Sequence, residues 1–415
     1  MTIATQTSPN PLPDGMSRAE ILASSSLASI FALRMLGLFL ILPVFAIHAK
    51  SLPDGDNTTL VGLAMGIYGL TQACLQIPFG IASDKFGRKR IIVIGLTLFA
   101  CGALIAAFSH TVMGILIGRA VQGAGAISAA ITALIADATR EEHRTKAMAM
   151  VGGSIGITFA LSLVAAPALY QGIGMNGIFI MTALLSVAAI GVVIWITPAM
   201  PAVPALHGTA QEKVTFSAVL KNPELMRLNY GVFVLHLTQV AMFVVVPSAL
   251  IQYADMPLAS HWKVYLPAVL GSFFAMLPAI IVGEKQGKMK QVFVAAIALL
   301  LAVQIGFWQF LTNPAILMGL LFAFFLAFNI LEASQPSLVS RIAPPAAKGA
   351  ALGVYNTLQA LGLACGGLLG GWVKQHAGAS SVFIVSAFLT LLWLIIANNM
   401  PELPRRAKAS QQLPA

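Results

Sequence analysis

The chain has 415 residues, of which 58% are hydrophobic and only 9% are charged, and its mean hydropathy is +0.87. Soluble domains carry about 25% charged residues, so this composition excludes an ordinary soluble protein and predicts one that is solvated by lipid. The net charge of +10 does not indicate nucleic-acid binding, because the basic residues follow the membrane pattern described below.

Twelve apolar runs of roughly 20 residues predict twelve membrane-spanning helices, so the expected fold class is an all-α membrane protein. A polar segment, 1–23, comes first, and the pattern Ser17-x-x-Glu20 within it predicts a capping box that opens the first helix. A basic tail, 400–415, follows the last span. The twelve spans are expected at 24–48, 59–79, 91–109, 112–136, 147–169, 176–197, 228–251, 263–282, 291–311, 315–340, 350–373 and 379–399.

Arginine and lysine residues predict how the spans are oriented. An even number of crossings places both termini on one side, and 19 of the 24 basic residues fall in segments on that side. Two more lie within spans, and only Lys50, Lys263 and Lys374 fall on the other side. Because basic residues are retained on the cytoplasmic side of a membrane, the sequence predicts that both termini are cytoplasmic.

A charged loop occurs twice, 200 residues apart. Five of the seven residues in Asp84–Arg90 are charged, and Glu284–Lys290 repeats the order of an acid, a base, a glycine and further bases. The longest polar break, 198–227, lies between the two copies and predicts a cytoplasmic linker between two six-helix bundles, 24–197 and 228–399. Such repeats are typical of transporters that rock one half against the other.

Two sequence motifs resemble those of a known family. The loop Gly80-x-x-x-Asp84-Lys85-x-Gly87-Arg88-Lys89-Arg90 resembles motif A of the major facilitator superfamily, and Arg119-x-x-Gln122-Gly123 resembles its motif B. Stretches such as SIFALRMLGLFLILPVF and AFNILEASQPSL are similar to the YajR-type subgroup of proton-dependent exporters. The resemblance covers almost the whole chain. It implies twelve helices in two pseudo-symmetric six-helix bundles that work by alternating access.

The resemblance also implies a conformational latch at the first loop. In the family, the acid of motif A meets the start of the eleventh helix, and its arginine pairs with an acid that ends the fourth. Asp84 is therefore expected to face the helix after Pro344-Pro345, and Arg88 to pair with Asp137. The alternative is an ordinary positive-inside loop. The second copy has Ile280 in place of the first glycine and no arginine, so we expect it to orient and pack without latching.

Four ionisable residues lie deep within predicted spans one, four, seven and ten. They are Arg34, Arg119, His236 and Glu332. A charge at the centre of a membrane costs about 2.5–3.5 kcal/mol on insertion scales, so each of them is a candidate for a functional role. In the superfamily these four helices line the central cavity, and the resemblance implies the same position here.

Glu332 is the best candidate for a proton carrier, because a carboxyl group holds its proton more tightly when desolvated and more weakly beside an arginine. Asn329 lies one turn away on the same helix face. Phe325 and Phe328 adjoin it, and a polar group framed by phenyl rings suits an amphipathic, drug-like substrate. The alternative is a fixed salt bridge between Glu332 and an arginine.

The other intramembrane polar groups leave more than one interpretation open. His236 and Gln239 form a polar pair at i, i+3, and His236 is either a titrating group or a buried packing residue. Arg119 and Gln122 form the motif-B pair, to which the family assigns a role in proton transfer through a neighbouring acid. Arg34 stands where many drug exporters carry an acid, so it either binds an anionic group of the substrate or satisfies backbone carbonyls.

The fifth span departs from the exporter pattern Gly-Pro-x-x-Gly-Gly. This chain reads APALYQ at 166–171, which retains the proline and lacks three glycines. We expect Gly152, Gly153 and Gly156 to provide close helix packing in this span instead.

The leading functional hypothesis is a proton-coupled exporter of amphipathic small molecules in a bacterial inner membrane. It is expected to be a monomer, to use the proton motive force with no cofactor or metal, and to bind no nucleic acid. The alternative is a proton symporter that imports a small polar or anionic solute, which Arg34 and Arg119 would bind. No hydrolase, nucleotide-binding or channel-filter motif occurs within the spans, so an enzyme or a channel is not expected. Several YajR-type proteins carry a further soluble domain after the last span, and regulation through such a domain is not expected here.

Overall fold

The computed structural model describes residues 15–198, 217–344 and 347–401. Within these ranges every regular element is a helix, as the sequence predicts. Most of the tail 1–23, of the linker 198–227 and of the basic tail 400–415 lies outside the described residues. The predicted limits of the two bundles at 24–197 and 228–399 therefore stay predictions.

Thirteen α-helices of seven or more residues follow one another along the described chain. The first half contains α1 (Arg18–Phe39), α2 (Leu42–His48), α3 (Thr58–Phe86), α4 (Arg88–Ala107), α5 (Val112–Ala124), α6 (Ser128–Ala138) and α7 (Glu141–Gly191). The second half contains α8 (Pro223–Ala254), α9 (Trp262–Gln286), α10 (Met289–Phe310), α11 (Pro314–Ile342), α12 (Lys348–Ala377) and α13 (Ser381–Asn398).

Helix α7 contains both the fifth and the sixth predicted spans. At Gly174 its backbone leaves the helical region, with φ 65° and ψ −177°. Hydrogen bonds to α1 show that its two arms run antiparallel. On the first arm, the hydroxyls of Ser154 and Ser162 donate to the carbonyls of Ala28 and Leu36, respectively. On the second arm, the Thr182 hydroxyl donates to the Gly37 carbonyl, and that of Thr197, six residues beyond the end of α7, donates to the Ser26 hydroxyl. The partner on α1 thus advances along the first arm and retreats along the second. Eleven apolar helical segments in the described chain thus make twelve crossings, which confirms the predicted twelve-helix fold.

Two of the predicted spans are interrupted near their middle. The first span breaks between α1 and α2, where Pro43 supplies no N–H group at the start of α2. The fourth breaks between α5 and α6 at Gly125, which lies against α4. A Cβ atom on Gly125 would come within 2.2 Å of the Gly95 carbonyl oxygen, so this close approach requires glycine.

The predicted capping box at the start of α1 is present. Glu20 N–H donates to the Ser17 hydroxyl at 3.2 Å, and Ser17 N–H donates to the Glu20 carboxylate at 2.7 Å. The backbone N–H of Arg140 also donates to Glu20, at 2.9 Å, and its guanidinium pairs with the same carboxylate at 3.0 Å. The cap therefore also joins the start of α1 to the start of α7.

Ion pairs cluster at the end of the molecule where α1 begins and α13 ends, which we call the terminal side. Besides Glu20 with Arg140, the described residues there form the pairs Arg88 with Asp84, Arg88 with Asp137, Arg227 with Glu224, and Arg341 with Glu284. Arg227 also donates to the carbonyl of Asn399 at 3.1 Å, which ties the start of α8 to the end of α13. The terminal side is the side that the charge distribution predicts to be cytoplasmic.

On the opposite side, Asp54 joins two connecting loops. Its carboxylate accepts hydrogen bonds from the first backbone N–H groups of α5, at 2.7 Å from Val112 and 3.1 Å from Met113. Partial burial raises the pKa of the Asp54 carboxyl, but these two N–H donors more than offset that effect and hold the pKa below its ordinary value. The ionised carboxylate thus stabilises the folded state.

Replacing Asp54 with alanine is expected to lower the free energy of unfolding by about 0.5–2 kcal/mol at neutral pH, as loss of a helix cap does. Because the folded-state pKa is depressed, this contribution is present above about pH 4 and is lost as the pH falls through the folded pKa. Thermal unfolding in detergent at a series of pH values measures it, with the exposed neighbour Asp56→Ala as the control. A difference between wild type and variant that grows on acidification would contradict this account.

Candidate functional site

The two halves of the chain meet closely on the opposite side, through α3 and α12. A Cβ atom on Gly62 would lie 2.1 Å from the Gly367 carbonyl oxygen, and one on Gly66 would lie 2.5 Å from that of Ala364. At the end of this contact, the Thr58 N–H donates to the side-chain oxygen of Gln375 at 2.6 Å. Backbone packs directly against backbone here, so larger residues have no room at these positions.

The same two helices separate towards the terminal side. Their contact continues to Gly69, where a Cβ atom would lie 2.3 Å from the Ala360 carbonyl oxygen. Gly353 lies two turns before Ala360 on the same face of α12, and a Cβ atom on Gly353 or Gly349 would meet no atom within 4 Å. A cleft between the halves is therefore open to the terminal side.

Helix α7 lines the cleft in the same way. Gly152 and Gly156 share a helix face with Phe159, at spacings of seven and three residues. A Cβ atom on Gly152, Gly153 or Gly156 would meet nothing within 4 Å. The expectation that these glycines provide close packing is therefore wrong for this conformation, because the partner half has moved away from them.

Aromatic rings close the cleft at its inner end. Phe159 of α7 lies 6.2 Å from Phe325 and 5.8 Å from Phe328 of α11, measured between ring centroids. Phe39 of α1 lies 5.0 Å from Phe159 on the other side. Phe325 and Phe328 are buried, as expected from their position beside Glu332. This group joins the two halves and separates the cleft from the opposite side.

An acid, a histidine and an amide meet one helical turn from these rings, on the side of the open cleft. Glu332 of α11 lies 3.5 Å from Nε2 of His236 on α8, and the Gln359 amide nitrogen of α12 lies 2.7 Å from the same Nε2. The Glu332 side chain is 34% exposed, whereas that of His236 is 5% exposed. Phe328 packs edge-on against the imidazole at 5.8 Å. The carboxylate thus reaches the cleft while its histidine partner lies behind it.

Asn329, predicted beside Glu332, and Gln239, predicted to pair with His236, form no hydrogen bond with either residue in the described part of the chain. Asn329 donates to the Ser272 hydroxyl of α9 at 2.9 Å, and Gln239 is buried without a hydrogen bond to His236 among the described residues. No arginine pairs with Glu332 in the part of the chain that the structure describes, so the alternative of a fixed arginine salt bridge is wrong here. His236 takes the place that the arginine had in that alternative.

Arg34 and Arg119 lie inside the first half. Both are almost wholly inaccessible, with 0% and 2% of their surfaces exposed. Arg34 donates to the Ser128 hydroxyl at 3.2 Å, to the Gln72 amide oxygen at 3.4 Å and to the Tyr68 hydroxyl. Side chains of α3 and α6, rather than backbone carbonyls, accept these hydrogen bonds, while the buried Nε of Arg34 has no hydrogen-bond partner among the described residues.

The motif-B pair forms without an acid. Arg119 donates to the Gln122 amide oxygen at 3.3 Å and lies over the Tyr68 ring, 5.1 Å from its centroid. Arg34 lies over the same ring, 5.6 Å from its centroid, so both guanidinium groups contact Tyr68. Within the described ranges no carboxylate contacts either arginine, and the expected neighbouring acid is absent there. The centre of the first half therefore carries two positive charges with only neutral partners.

The first charged loop forms the ion pair that the resemblance implies. Arg88 Nε lies 3.1 Å from the Asp137 carboxylate, and a guanidinium nitrogen of Arg88 donates to the Ser83 hydroxyl at 2.8 Å. Gly87 joins α3 to α4 with φ 97°, which explains the glycine at this turn. Of the other loop residues, Gly80 packs against Ala129, and Lys85 and Arg90 are exposed.

The expected contact of Asp84 with α12 is not made. Asp84 pairs instead with Arg88 one turn later, and its side chain is 45% exposed. The physical reason is that α3 and α12 have separated on the terminal side, where the latch would form. Asp84 and the start of α12 therefore lie on opposite walls of the open cleft.

The second loop copy contributes an ion pair that the sequence analysis missed. Glu284 of this copy pairs with Arg341 at the end of α11. In the first half, a basic residue of the loop pairs with an acid that ends the fourth span, so the second half makes the same connection with the charges exchanged. The expectation that the second copy only orients and packs is therefore incomplete.

Sequence reasoning also missed Gln359 and Tyr68. Gln359 lies among YNTLQ at 355–359, a run of polar side chains in an otherwise apolar predicted span, and that signal was available. Tyr68 offers no comparable signal, because a tyrosine in a membrane span does not stand out from the surrounding apolar residues.

Comparisons with known proteins agree with these features. The Major Facilitator Superfamily profile matches residues 27–364 and 268–414. The chain is 44% identical to the inner membrane transport protein YajR of Escherichia coli (strain K12), over 96% of this chain and 88% of that protein. It is 25% identical to the multidrug resistance protein MdtH of Aeromonas salmonicida (strain A449), over 85% and 87% of the two chains. The crystal structure of a D-xylose-proton symporter superposes with a TM-score of 0.70 at 14% identity, over 92% and 98% of the two chains.

Replacing Gly62 with valine is expected to disfavour the state described here, because the new side chain would overlap the backbone of α12. Overpacking of this kind costs about 1–3 kcal/mol, which shifts a two-state population by roughly 5- to 150-fold. In a background without Cys74, Cys101 and Cys365, the maleimide-labelling rate of Gly353→Cys reports access to the cleft. We expect slower labelling in Gly62→Val and an unchanged rate in the control Gly156→Val. Unchanged labelling in Gly62→Val would count against the proposed close contact.

Proposed function

Because the chain belongs to the major facilitator superfamily and is a membrane transporter rather than an enzyme, we propose that it is a proton-coupled exporter of amphipathic small molecules. In this proposal the protein acts as a monomer in a bacterial inner membrane with both termini in the cytoplasm. The cleft between its halves opens alternately to the two sides.

The pairing of Glu332 with His236 carries this proposal. Glu332 is the only acid of the chain that falls well inside a predicted span. Its partly exposed carboxylate can exchange a proton with the solvent in the cleft, and its 3.5 Å separation from His236 Nε2 allows the imidazole to act as the local acceptor or donor. An acid and a base in contact at the inner end of an open cleft form a site that can be loaded from one side and unloaded from the other.

Proton movement supplies enough energy for this function. One elementary charge that crosses 100 mV is worth about 2.3 kcal/mol, which sustains a roughly fifty-fold gradient of a neutral solute. Gain of the proton removes the charge of Glu332, which changes the cost of enclosing that carboxylate among the phenyl rings. The protonation state of Glu332 thereby biases which conformation is favoured.

The residues around the acid support an amphipathic substrate. Phe159, Phe325 and Phe328 pack into a buried aromatic group beside one carboxylate, and apolar rings next to a single polar group are the mixed lining that small-molecule sites use. The name of the relative at 25% identity, a multidrug resistance protein, supports efflux as the direction.

The symporter alternative relied on Arg34 and Arg119 to bind an anionic solute. In the state described here both guanidinium groups are closed off from the cleft and engaged by neutral side chains of their own half. Direct binding would require α1, α3, α5 and α6 to separate within one bundle, so export is the better-supported function.

The proposal includes a latch that acts in the opposite-facing state. Arg88 and Asp137 already hold the loop against α6. Asp84 pairs with Arg88 in this state but is exposed, and we propose that it reaches the beginning of α12 when the cleft closes. Charge attraction to a helix N-terminus then stabilises the closed terminal side.

Glu332→Gln is expected to abolish coupling while leaving the fold intact. Glutamine preserves the shape of the side chain, but its amide neither gains nor loses a proton at physiological pH. The protein is reconstituted in liposomes with an acidic lumen, and a dye in the lumen reports proton efflux when tetraphenylphosphonium or ethidium is added outside. We expect substrate-evoked efflux in wild type and only the rate of protein-free liposomes in Glu332→Gln.

The matched control is Gln304→Leu, a buried polar residue of α10, which supplies no residue of the site. It should retain the wild-type rate. Equal proton efflux in wild type and Glu332→Gln would refute the assigned role of Glu332. A response to organic acids or sugars, with protons and solute moving in the same direction, would favour the symporter instead.

A further inference from the structure

The hydrogen bonds of His236 define where its proton can be. Nδ1 of the imidazole lies 3.0 Å from the carbonyl oxygen of Val232 on the same helix. A carbonyl oxygen only accepts hydrogen bonds, so Nδ1 carries a hydrogen atom. Nε2 is therefore the position that gains or loses the titrating proton, and the neutral ring offers a lone pair there.

Two side chains compete for Nε2. The Gln359 amide lies 2.7 Å from it, and the Glu332 carboxylate lies 3.5 Å from it. With its amide nitrogen towards the ring, Gln359 donates to the lone pair of neutral His236. Protonated His236 has a hydrogen atom on Nε2. The NH₂ group of Gln359 cannot accept a hydrogen bond from it, and the two donors repel each other. The amide must then turn over and present its oxygen, or the ring must direct its new N–H to Glu332.

We propose that Gln359 is a positioning residue that sets the proton affinity of His236 by exchanging donor for acceptor. In the state open to the terminal side its NH₂ group stabilises the neutral ring and leaves Glu332 accessible from the cleft. Rotation of the amide stabilises the protonated ring. Its role in transport rests on the proposed function, whereas the titration that it controls is a property of the folded protein itself.

The position of Gln359 connects this exchange to the contact between the halves. Its neighbour Ala360 makes the last close approach to Gly69 of α3 before the two helices diverge. A change in how α3 and α12 meet therefore begins one residue from the amide. The same helix thus carries both the hydrogen bond to His236 and the boundary between the closed and open parts of the interface.

Few charged or titratable groups other than Glu332 face His236, so few could account for a change in its protonation. Glu332 on α11 is the acid that faces it, and Tyr355 on α12 bonds to Gln335 at 3.4 Å and interacts electrostatically with Glu332. Lys374 of α12 reaches α8 only at Val244, eight residues beyond His236. Among the described residues, no ion pair joins His236 to α2, α3 or α13, which also contact α8.

The test follows the imidazole directly, in protein that carries ¹³C-labelled histidine and is held in lipid nanodiscs. The His236 signal is assigned by its absence in His236→Gln. In Gln359→Glu a carboxylate accepts from the protonated ring and cannot donate to the neutral one, so the titration midpoint should move to higher pH by about one unit or more. In Gln359→Met the neutral ring loses its donor while the protonated ring retains Glu332, so a smaller shift in the same direction is expected.

The control is Thr357→Val on the same helix, whose hydroxyl donates only to the Gly353 carbonyl at 2.9 Å. Its midpoint should stay within about 0.2 units of wild type, the margin taken for a negligible interaction. Midpoints within the same margin in both Gln359 variants would overturn the proposal, and so would an equal shift in Thr357→Val. A shifted midpoint in a protein whose Glu332→Gln variant still couples normally would uphold the role of Gln359 and refute the proposed function.

Discussion

The backbone-to-backbone contact of α3 with α12 determines what the rest of the structure can do. Gly62 and Gly66 allow the two helices to touch on the opposite side, and the contact ends where Gly69 meets Ala360. Because packed helices tilt as rigid bodies, close approach at one end and separation at the other produce a cleft with a single open mouth. The open space beside Gly353 and Gly156 and the missing contact of Asp84 with α12 all follow from that geometry.

The two halves carry different kinds of charged groups within the membrane. In the first half, Arg34 and Arg119 lie against Tyr68 and hydrogen-bond only to neutral groups among the described residues, so their charges are held in place. In the second half, Glu332 and His236 are groups that can change their charge and lie where the cleft ends. In the proposed function, a proton bound by Glu332 removes its charge where the cleft ends, so each bound proton changes the balance between the halves.

The sequence predicts those features that depend on solvation by lipid. Hydropathy places all twelve crossings, and the rarity of charge in a span singles out Glu332 and His236. It could not pair them, because their contact joins helices almost 100 residues apart and depends on helix rotation. The pairing of Glu284 with Arg341 was not predicted for the same reason. A charged loop is interpreted as an orientation signal until its ion-pair partner is known. The contact of Asp84 depends on the conformational state, which no sequence motif specifies.

The central claim is that protonation at Glu332 and His236 biases which end of the interface is open. Paired spin labels test it most directly, with one pair at Phe86→Cys and Gly349→Cys on the terminal side and another at Asp56→Cys and His376→Cys on the opposite side. Between pH 8 and pH 5, the account predicts that the two interlabel distances change in opposite directions, and that Glu332→Gln removes this response. Distances that respond to pH equally in wild type and in Glu332→Gln would contradict it.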